Sequence, residues 1–309
     1  MIKNKIISGV LLFLLTTFLY NSKPYLDEYI QKVNNYSAAF FSMGITVKDL
    51  TKKYDSPKKN EKIKILIVPG HEPNFGGAEY KDLKERDLNL ILSEKIKNIL
   101  EKNKKFEIIT TRNTSGWNTD IGNYINNNKD NILYWVKDAK EEMLNLVNNG
   151  KITVVNAKMG HGIAPLNSAI SLYGINKWAG ENKVDIAIHL HFNDNPKYKG
   201  KPNYEGFSIY VPEKQYSNST SSKILAGDLM EEILKIQKVS TMEEESMGII
   251  EDQELIALGS YNTSDSLSIL IEYAYIYENF MQNTNARNIF IDKAASSTAQ
   301  AIENFFKLR

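Results

Sequence analysis

The stretch KILIVPGH, residues 64–71, decides the fold. It is a short apolar run that stops at Pro-Gly, which is the pattern of a strand buried inside a sheet. Similar runs follow along the chain, and we predict further strands at 106–111 (FEIITT), 184–191 (VDIAIHLH), 207–211, 255–258 and 268–272 (SILIE).

Amphipathic segments separate these runs. In the first of them Leu88, Leu92 and Ile96 share one helical face. We predict helices at 85–102, 132–147, 166–179, 221–236 and 285–306. Regular alternation of strands and helices indicates an α/β fold, here a single domain with a mainly parallel, twisted sheet that helices cover on both faces.

The composition excludes several classes of function. The chain has 309 residues, with 38 Lys and Arg against 37 Asp and Glu, so it lacks the basic excess of nucleic-acid-binding proteins. It contains no cysteine, which excludes disulfides, cysteine-bound zinc, iron–sulfur clusters, a thiol nucleophile and a lipid-modified N-terminal cysteine. With four histidines in all, any metal site must draw on histidine, aspartate and glutamate.

The N-terminus has the pattern of an export segment. Residues 6–20 (IISGVLLFLLTTFLY) are uncharged and mostly apolar, and Lys3 and Lys5 precede them. A buried core helix is the alternative, but a basic front before an apolar run at the N-terminus is typical of a signal. Because no small-residue cleavage pattern follows, we favour a retained membrane anchor over a cleaved signal. Basic flanking residues predict a cytoplasmic N-terminus.

These observations predict three regions. Residues 1–23 form the signal or anchor in the cytoplasmic membrane, charged residues 24–61 form a tether, and residues 62–309 form the catalytic domain in the cell envelope. An Asn-rich stretch, 113–165, is predicted to be an insertion beside the sheet and carries His161. Long insertions often have such functions, and we hypothesise that this one is a lid or a regulatory arm over the site.

Polar residues stand where three predicted strands end. His71 follows the first strand, His191 ends the strand at 184–191, and Glu272 ends the strand at 268–272, while Glu85 opens a helix after the first loop. Ligands of open α/β sheets bind beyond the carboxyl ends of strands. Two imidazoles and one carboxylate with an open position suit a catalytic Zn²⁺. The further carboxylate, Glu272, would take a proton from the activated water.

Each of these residues also has an ordinary structural explanation. His71 can cap a turn, and Glu85 can complement the dipole of its helix from the first turn. His189 and His191 are two apart and share one face of a strand, so they can be hydrogen-bonded core residues. Glu272 is harder to explain in this way, because a carboxylate after an apolar run is costly to bury without a partner.

Three segments together resemble a known family, the zinc-dependent N-acetylmuramoyl-L-alanine amidases (amidase type 3). They are residues 68–100 (VPGHEPNFGGAEYKDLKERDLNLILSEKIKNIL), 175–193 (INKWAGENKVDIAIHLHFN) and 267–276 (LSILIEYAYI). The matching positions are Pro69-Gly70-His71, Gly77-Ala78, Glu85 with Asp87, Asn89 and Leu90, Thr111-Arg112, His191-Phe192-Asn193, and Glu272.

The resemblance implies a zinc site formed by His71, Glu85 and His191, with Glu272 as general base. The implied reaction is hydrolysis of the amide between N-acetylmuramic acid and L-alanine of peptidoglycan, a substrate that lies outside the membrane. Arg112, Asn193 and His189 are expected to support the ligands or line the site. His189 stands where the family usually has serine.

Two other functions are compatible with these residues. The chain can be a different exported zinc peptidase or amidohydrolase on the same fold, or a peptidoglycan-binding module that has lost catalysis. The sequence argues against the second alternative, because all three ligand positions and the catalytic glutamate are present.

Overall fold

The strands and helices alternate as the sequence predicts. A computed structural model describes residues 44–56, 61–74, 76–157, 164–194 and 204–307. The helices are α1 (Val47–Asp55), α2 (Glu85–Leu100), α3 (Thr119–Asn127), α4 (Lys129–Asn148), α5 (Leu166–Glu181), α6 (Ser219–Ile233), α7 (Asn279–Gln282) and α8 (Thr284–Lys307). The strands are β1 (Ile63–Pro69), β2 (Glu79–Tyr80), β3 (Leu83–Lys84), β4 (Phe106–Thr110), β5 (Arg112–Asn113), β6 (Gly116–Trp117), β7 (Ile186–Asn193), β8 (Ser208–Pro212), β9 (Ile249–Asp252) and β10 (Leu267–Tyr275).

A six-stranded sheet within the described residues forms the centre of the domain, in the order β4-β1-β7-β10-β8-β9. Strands β4, β1, β7 and β10 are mutually parallel, whereas β8 runs antiparallel to β10 and parallel to β9. The predicted single-domain α/β fold with a mainly parallel sheet is therefore confirmed. Parallel alignment brings the carboxyl ends of β1, β7 and β10 to one edge of the sheet.

Both faces of the sheet are covered, which explains the continuous apolar runs of its strands. On β1, Ile65 and Ile67 pack into one cluster, which also contains apolar residues of α2, α6 and α8. Leu66 and Val68, on the opposite face, pack into a second cluster with residues of α3, α4 and α5. The core therefore lies on both sides of the central strands.

Helix α1 corrects the predicted tether. It lies within residues 24–61, yet Leu50 and Tyr54 are buried, and the Tyr54 ring stacks on Phe306 of α8 at 4.6 Å between ring centroids. The Nζ atom of Lys53 lies 2.7 Å from Oδ2 of Asp185. The folded unit therefore takes in α1 and begins before residue 62. The charged surface of α1 conceals a short apolar stripe that is too brief to stand out in the sequence.

The predicted strand at 255–258 is wrong. Ile256–Leu258 form one turn of 3-10 helix, and the edge strand of the sheet is instead β9, which the sequence analysis missed. The Oδ1 atom of Asp252 accepts hydrogen bonds from the backbone N–H groups of Glu254 and Leu255, both at 2.8 Å, and so turns the chain away at the end of β9. A short apolar run has the same appearance in a buried turn and in a strand.

Residues 113–157 of the predicted insertion are largely helical. They contain hairpin β5–β6 and helices α3 and α4, which pack against α5 beside the sheet. His161 and the predicted anchor at residues 1–23 lie outside the described residues. No helix in the described part of the chain is both long and apolar enough to cross a membrane.

Candidate metal centre

Three side chains meet at the carboxyl edge of the sheet. His71 follows β1, His191 lies near the end of β7, and Glu85 is the first residue of α2. The Nε2 atom of His71 lies 2.8 Å from Oε2 of Glu85, and the Nδ1 atom of His191 lies 2.8 Å from Oε1 of Glu85. One donor atom from each residue lies within 4.8 Å of the others. The structure thus brings together the three residues that the sequence singled out as metal ligands.

The carboxylate of Glu85 is held rigidly by the backbone. It is 4% exposed and accepts hydrogen bonds from the N–H groups of Ala78 at 2.8 Å and Phe192 at 3.1 Å. Burial alone would raise its pKa, but the imidazoles of His191 and His71 hold the pKa of Glu85 well below its ordinary value. Glu85 therefore presents an ionised carboxylate to the two imidazoles.

The donor set fits a zinc ion. Two imidazole nitrogens and one carboxylate oxygen are the protein ligands of a catalytic zinc site with an open position. The Nε2 atom of His71 is buried and makes no hydrogen bond with suitable geometry to the described residues, despite its short distance to Glu85. A buried nitrogen in that situation is satisfied when a cation binds between the donors.

The loop that begins at His71 and ends before Glu85 has a constrained backbone, which fixes the position of the His71 imidazole. His71 itself has a φ of 69°, a left-handed value that is uncommon outside glycine and marks a tightly constrained turn. Gly77 has a φ of 83°, and a Cβ atom there would lie 2.7 Å from Cδ2 of His71. The Gly-Ala pair of the sequence motif is therefore explained by close approach to the imidazole.

Gly70 supplies the clearance for His191, and its replacement is expected to damage the site. In Gly70→Ala, the added Cβ would lie 2.3 Å from Cε1 and 2.4 Å from Nε2 of His191, so the imidazole must move. We expect a loss of stability of about 1–3 kcal/mol and weaker zinc binding. Thermal unfolding and zinc titration test this, with Gly227→Ala as the control, because no atom lies within 4 Å of a Cβ there. Unchanged zinc affinity in Gly70→Ala would contradict the expected displacement.

Arg112 stabilises both ends of the loop that connects His71 to Glu85. Its guanidinium is buried and donates hydrogen bonds to the carbonyl oxygens of Pro69 at 3.2 Å, Gly70 at 2.8 Å and Arg86 at 2.7 Å. These bonds join the end of β1 to the first turn of α2. Arg112 therefore acts on the site through the backbone just before His71 and just after Glu85.

Glu272 lies next to the candidate ligands on β10. In the strand pairing it is opposite His191 of β7 on one side and Ser208 of β8 on the other. Its Oε2 atom is buried and has no hydrogen-bond partner among the described residues. Burial raises the pKa of Glu272 well above its ordinary value, and the negative charges of Glu85 and Glu245 raise it further. A carboxylate of this kind is a strong proton acceptor.

The remaining two predicted residues, His189 and Asn193, lie on β7 two residues before and two residues after His191. Asn193 donates a hydrogen bond from Nδ2 to Oε1 of Glu245 at 2.9 Å. His189 is 1% exposed, and its Nε2 atom has no hydrogen-bond partner in the described structure. Sequence analysis missed Glu245, because a glutamate within the run Glu243-Glu244-Glu245 has the appearance of a solvated acidic turn.

Burial of His189 predicts acid sensitivity of the metal-free protein. Burial, together with the charge of His191, lowers the pKa of His189 to about 3. Above about pH 6.5 the residue is neutral in both folded and unfolded chains, so it contributes no pH dependence. Below that pH the unfolded chain binds a proton that the folded chain excludes, and the loss of stability grows until about pH 3, reaching about 2 kcal/mol at pH 5.

We therefore expect His189→Asn to flatten the pH dependence of stability. The free energy of unfolding, measured in chelator at pH 7.5 and pH 5, should fall by about 2 kcal/mol less in the variant than in the wild type. The two proteins differ at this residue alone, so the difference between their pH dependences of stability reports on His189. Identical slopes would show that His189 takes up a proton in the folded state.

Comparisons with known proteins agree with this arrangement. The sequence profile described as N-acetylmuramoyl-L-alanine amidase matches residues 65–135 and 145–304, and its gap falls inside the predicted insertion. Among curated proteins, none is similar enough in sequence to match the chain.

Solved structures show the same fold. The catalytic domain of CwlV, an N-acetylmuramoyl-L-alanine amidase from Bacillus (Paenibacillus) polymyxa var. colistinus, has a TM-score of 0.51 at 15% identity, covering 80% of this chain and 99% of that one. Ami1 from Mycobacterium smegmatis has a TM-score of 0.51 at 10% identity, with coverages of 80% and 98%. The CwlD amidase from Clostridioides difficile, solved with the GerS lipoprotein, has a TM-score of 0.50 at 15% identity, with coverages of 80% and 100%.

Identities this low establish the fold alone, whereas the profile covers most of the chain and establishes the family. Both findings agree with the geometry at the edge of the sheet. The chain belongs to the N-acetylmuramoyl-L-alanine amidase family, whose members are hydrolases that act on peptidoglycan.

Proposed function

We propose that this chain is a zinc-dependent hydrolase of the amide bond between N-acetylmuramic acid and L-alanine in peptidoglycan. His71, Glu85 and His191 would hold the zinc ion, and Glu272 would serve as general base. The observation that carries the proposal is the convergence of three zinc-type donors beside Glu272, whose buried Oε2 atom has no hydrogen-bond partner among the described residues. Membership of the amidase family supplies the substrate class.

The zinc ion and the protein would contribute different parts of the hydrolysis. When bound, zinc polarises the scissile carbonyl and lowers the pKa of its water. Glu272 removes a proton from the attacking water and then delivers it to the leaving nitrogen of L-alanine. The products are a carboxylate on the lactyl group and a stem peptide with a free amino terminus.

Two alternative functions can be distinguished from the proposed one by experiment. A different exported zinc peptidase or amidohydrolase would use the same ligands on another substrate. A binding module without catalysis is less well supported, because the buried Oε2 atom of Glu272 has no partner among the described residues, and such burial costs stability that a binding surface does not require.

We also propose that the enzyme acts in the cell envelope. The basic front and apolar run of residues 1–23 would anchor it in the cytoplasmic membrane, with the catalytic domain outside, where peptidoglycan lies. Extraction of the full chain from membranes by detergent but not by high salt would support the anchor. Release by salt alone would exclude it.

The deciding experiment is mass spectrometry of purified peptidoglycan after incubation with the full chain, solubilised in detergent and loaded with zinc. Stem peptides with a free N-terminal L-alanine should appear, and a chelator should abolish their release. Release of fragments cut at another amide would favour the first alternative. Binding of peptidoglycan without any cleavage would favour the second.

A further inference from the structure

Glu245 is a buried carboxylate that has no role in the reaction proposed above. It is 0% exposed and accepts three hydrogen bonds. Its Oε1 atom accepts from the hydroxyl of Tyr210 at 2.6 Å and from Nδ2 of Asn193 at 2.9 Å, and its Oε2 atom accepts from the hydroxyl of Tyr275 at 2.8 Å. No salt bridge to Glu245 exists among the described residues.

The three donors belong to three adjacent strands. Asn193 ends β7, Tyr210 is in the middle of β8, and Tyr275 ends β10. Glu245 itself lies in the 3-10 turn Glu243–Glu245, outside the sheet. One carboxylate therefore ties together the strands that flank Glu272 on both sides.

The pairing of β10 with β7 is irregular at this point. Glu272 pairs with His191, but the register then shifts, so that Tyr275 pairs with Asn193. Two residues of β10 thus stand against the single residue Phe192 of β7. Beyond the irregularity the strands are rejoined by a hydrogen bond from the N–H of Ile276 to the carbonyl of Asn193 at 2.9 Å. Bulges of this kind re-aim side chains and weaken the local ladder.

We propose that Glu245 is a positioning residue for the amidase reaction. Its hydrogen bonds to Asn193 and Tyr275 lock the irregular end of the β7–β10 ladder, and its bond to Tyr210 secures that end to β8. Glu272, three residues before Tyr275, is thereby held opposite His191. This inference rests on the proposed function, in which the carboxylate of Glu272 must reach a water molecule at the metal ligands.

The energetics favour this role over simple stabilisation. A carboxylate that is buried without a cation is costly even when it is hydrogen-bonded, and an apolar side chain of similar size would generally stabilise the fold as well or better. A misplacement of about 1 Å at a catalytic group lowers the rate by about 100-fold.

The test compares Glu245→Ala, Glu245→Gln and Tyr275→Phe with the wild type. Steady-state kinetics on a soluble muramoyl peptide give kcat and KM per zinc-loaded protein. Amide hydrogen exchange of Ile276, whose N–H donates to the carbonyl of Asn193, measures the ladder independently of activity. Tyr216→Phe is the matched control, since it removes a buried hydroxyl that donates to the carbonyl of Gln253 at 3.0 Å, beyond the opposite end of β8.

In Glu245→Ala we expect kcat to fall by about 100-fold, KM to change by less than about threefold, and exchange at Ile276 to accelerate by at least about tenfold. Glutamine should recover at least about tenfold in kcat, because it retains an acceptor for Asn193 and Tyr210, and the Tyr275 hydroxyl can accept from its amide. Tyr275→Phe should lose about three- to tenfold in kcat. The Tyr216→Phe control should match the wild type in kcat and in exchange.

Wild-type kcat in folded Glu245→Ala, or faster exchange without a change in kcat, would overturn the proposal and leave Glu245 a structural residue. If Glu245→Ala does not fold, Tyr275→Phe decides in the same way, and wild-type kcat there would overturn it. An inactive wild type would refute the amidase function instead. In that case, unchanged exchange in the variants would refute the locking of the ladder as well.

Discussion

Glu272→Gln is expected to abolish most turnover while leaving the zinc site intact. General acid–base catalysis contributes about 10² to 10⁴-fold, and Glu272 would act as both base and acid, so we expect kcat to fall toward the upper end of this range. Zinc content should remain that of the wild type, because the three candidate ligands are His71, Glu85 and His191.

The same substitution is also expected to raise the thermal stability of the metal-free protein at pH 8. The folded-state pKa of Glu272 lies above its unfolded value, so the folded chain favours the neutral form. Its contribution to stability is present at low pH and is lost as the pH rises through the folded-state pKa. Glutamine is neutral at every pH and avoids this loss.

Released stem peptides, zinc content and melting temperature together test these expectations. Glu213→Gln is the matched control, since Glu213 is a buried carboxylate that follows the opposite end of β8, where its Oε2 accepts from the N–H of Gln215 at 3.0 Å. It should retain wild-type turnover. Turnover in Glu272→Gln within threefold of the wild type would remove Glu272 from the mechanism.

Glu85→Gln is expected to lose zinc, in contrast to Glu272→Gln, which should retain it. Glutamine keeps the shape of the side chain but loses the negative charge that faces both imidazoles, so we expect zinc affinity to fall by at least about 100-fold. Turnover should then fall with the zinc content and recover in part at high zinc concentration.

Stability should fall in Glu85→Gln as well. The lowered pKa of Glu85 contributes stability that is present above the unfolded value of about 4.5 and is lost as the pH falls through the folded-state pKa. Hydrogen bonds to a charged group contribute about 1.5–3 kcal/mol, so a loss of that size is expected at pH 7 in chelator.

Zinc titration calorimetry and chemical unfolding measure the two effects. Asp252→Asn is the control, because Asp252 is also a buried carboxylate that accepts from two backbone N–H groups and lies outside the site. It should lose stability and keep its zinc affinity. Wild-type affinity in Glu85→Gln would show that Glu85 is not a ligand.

Most of the architecture is accessible from local pattern. The runs at 64–68, 184–191 and 268–272 are apolar without alternation, because strands in a covered parallel sheet are buried on both faces. The carboxyl ends of parallel strands also lie at one edge of a sheet, so the sequence predicts that His71, His191 and Glu272 are neighbours. Local pattern was insufficient at residues 255–258, where a short apolar segment is buried equally well by a turn or a strand.

The sequence by itself determined the fold class, the family and the residues that converge at the edge of the sheet. Only the tertiary structure decided what supports them: the clearance that Gly70 leaves for His191, the hold of Arg112 on the ligand loop, the burial of α1, and the contact of Glu245 with three strands. The physical reason is the range of the interactions. Periodicity and strand ends are properties of neighbouring residues, whereas these supports are contacts between residues far apart along the chain, which form only when the packed elements bring them together.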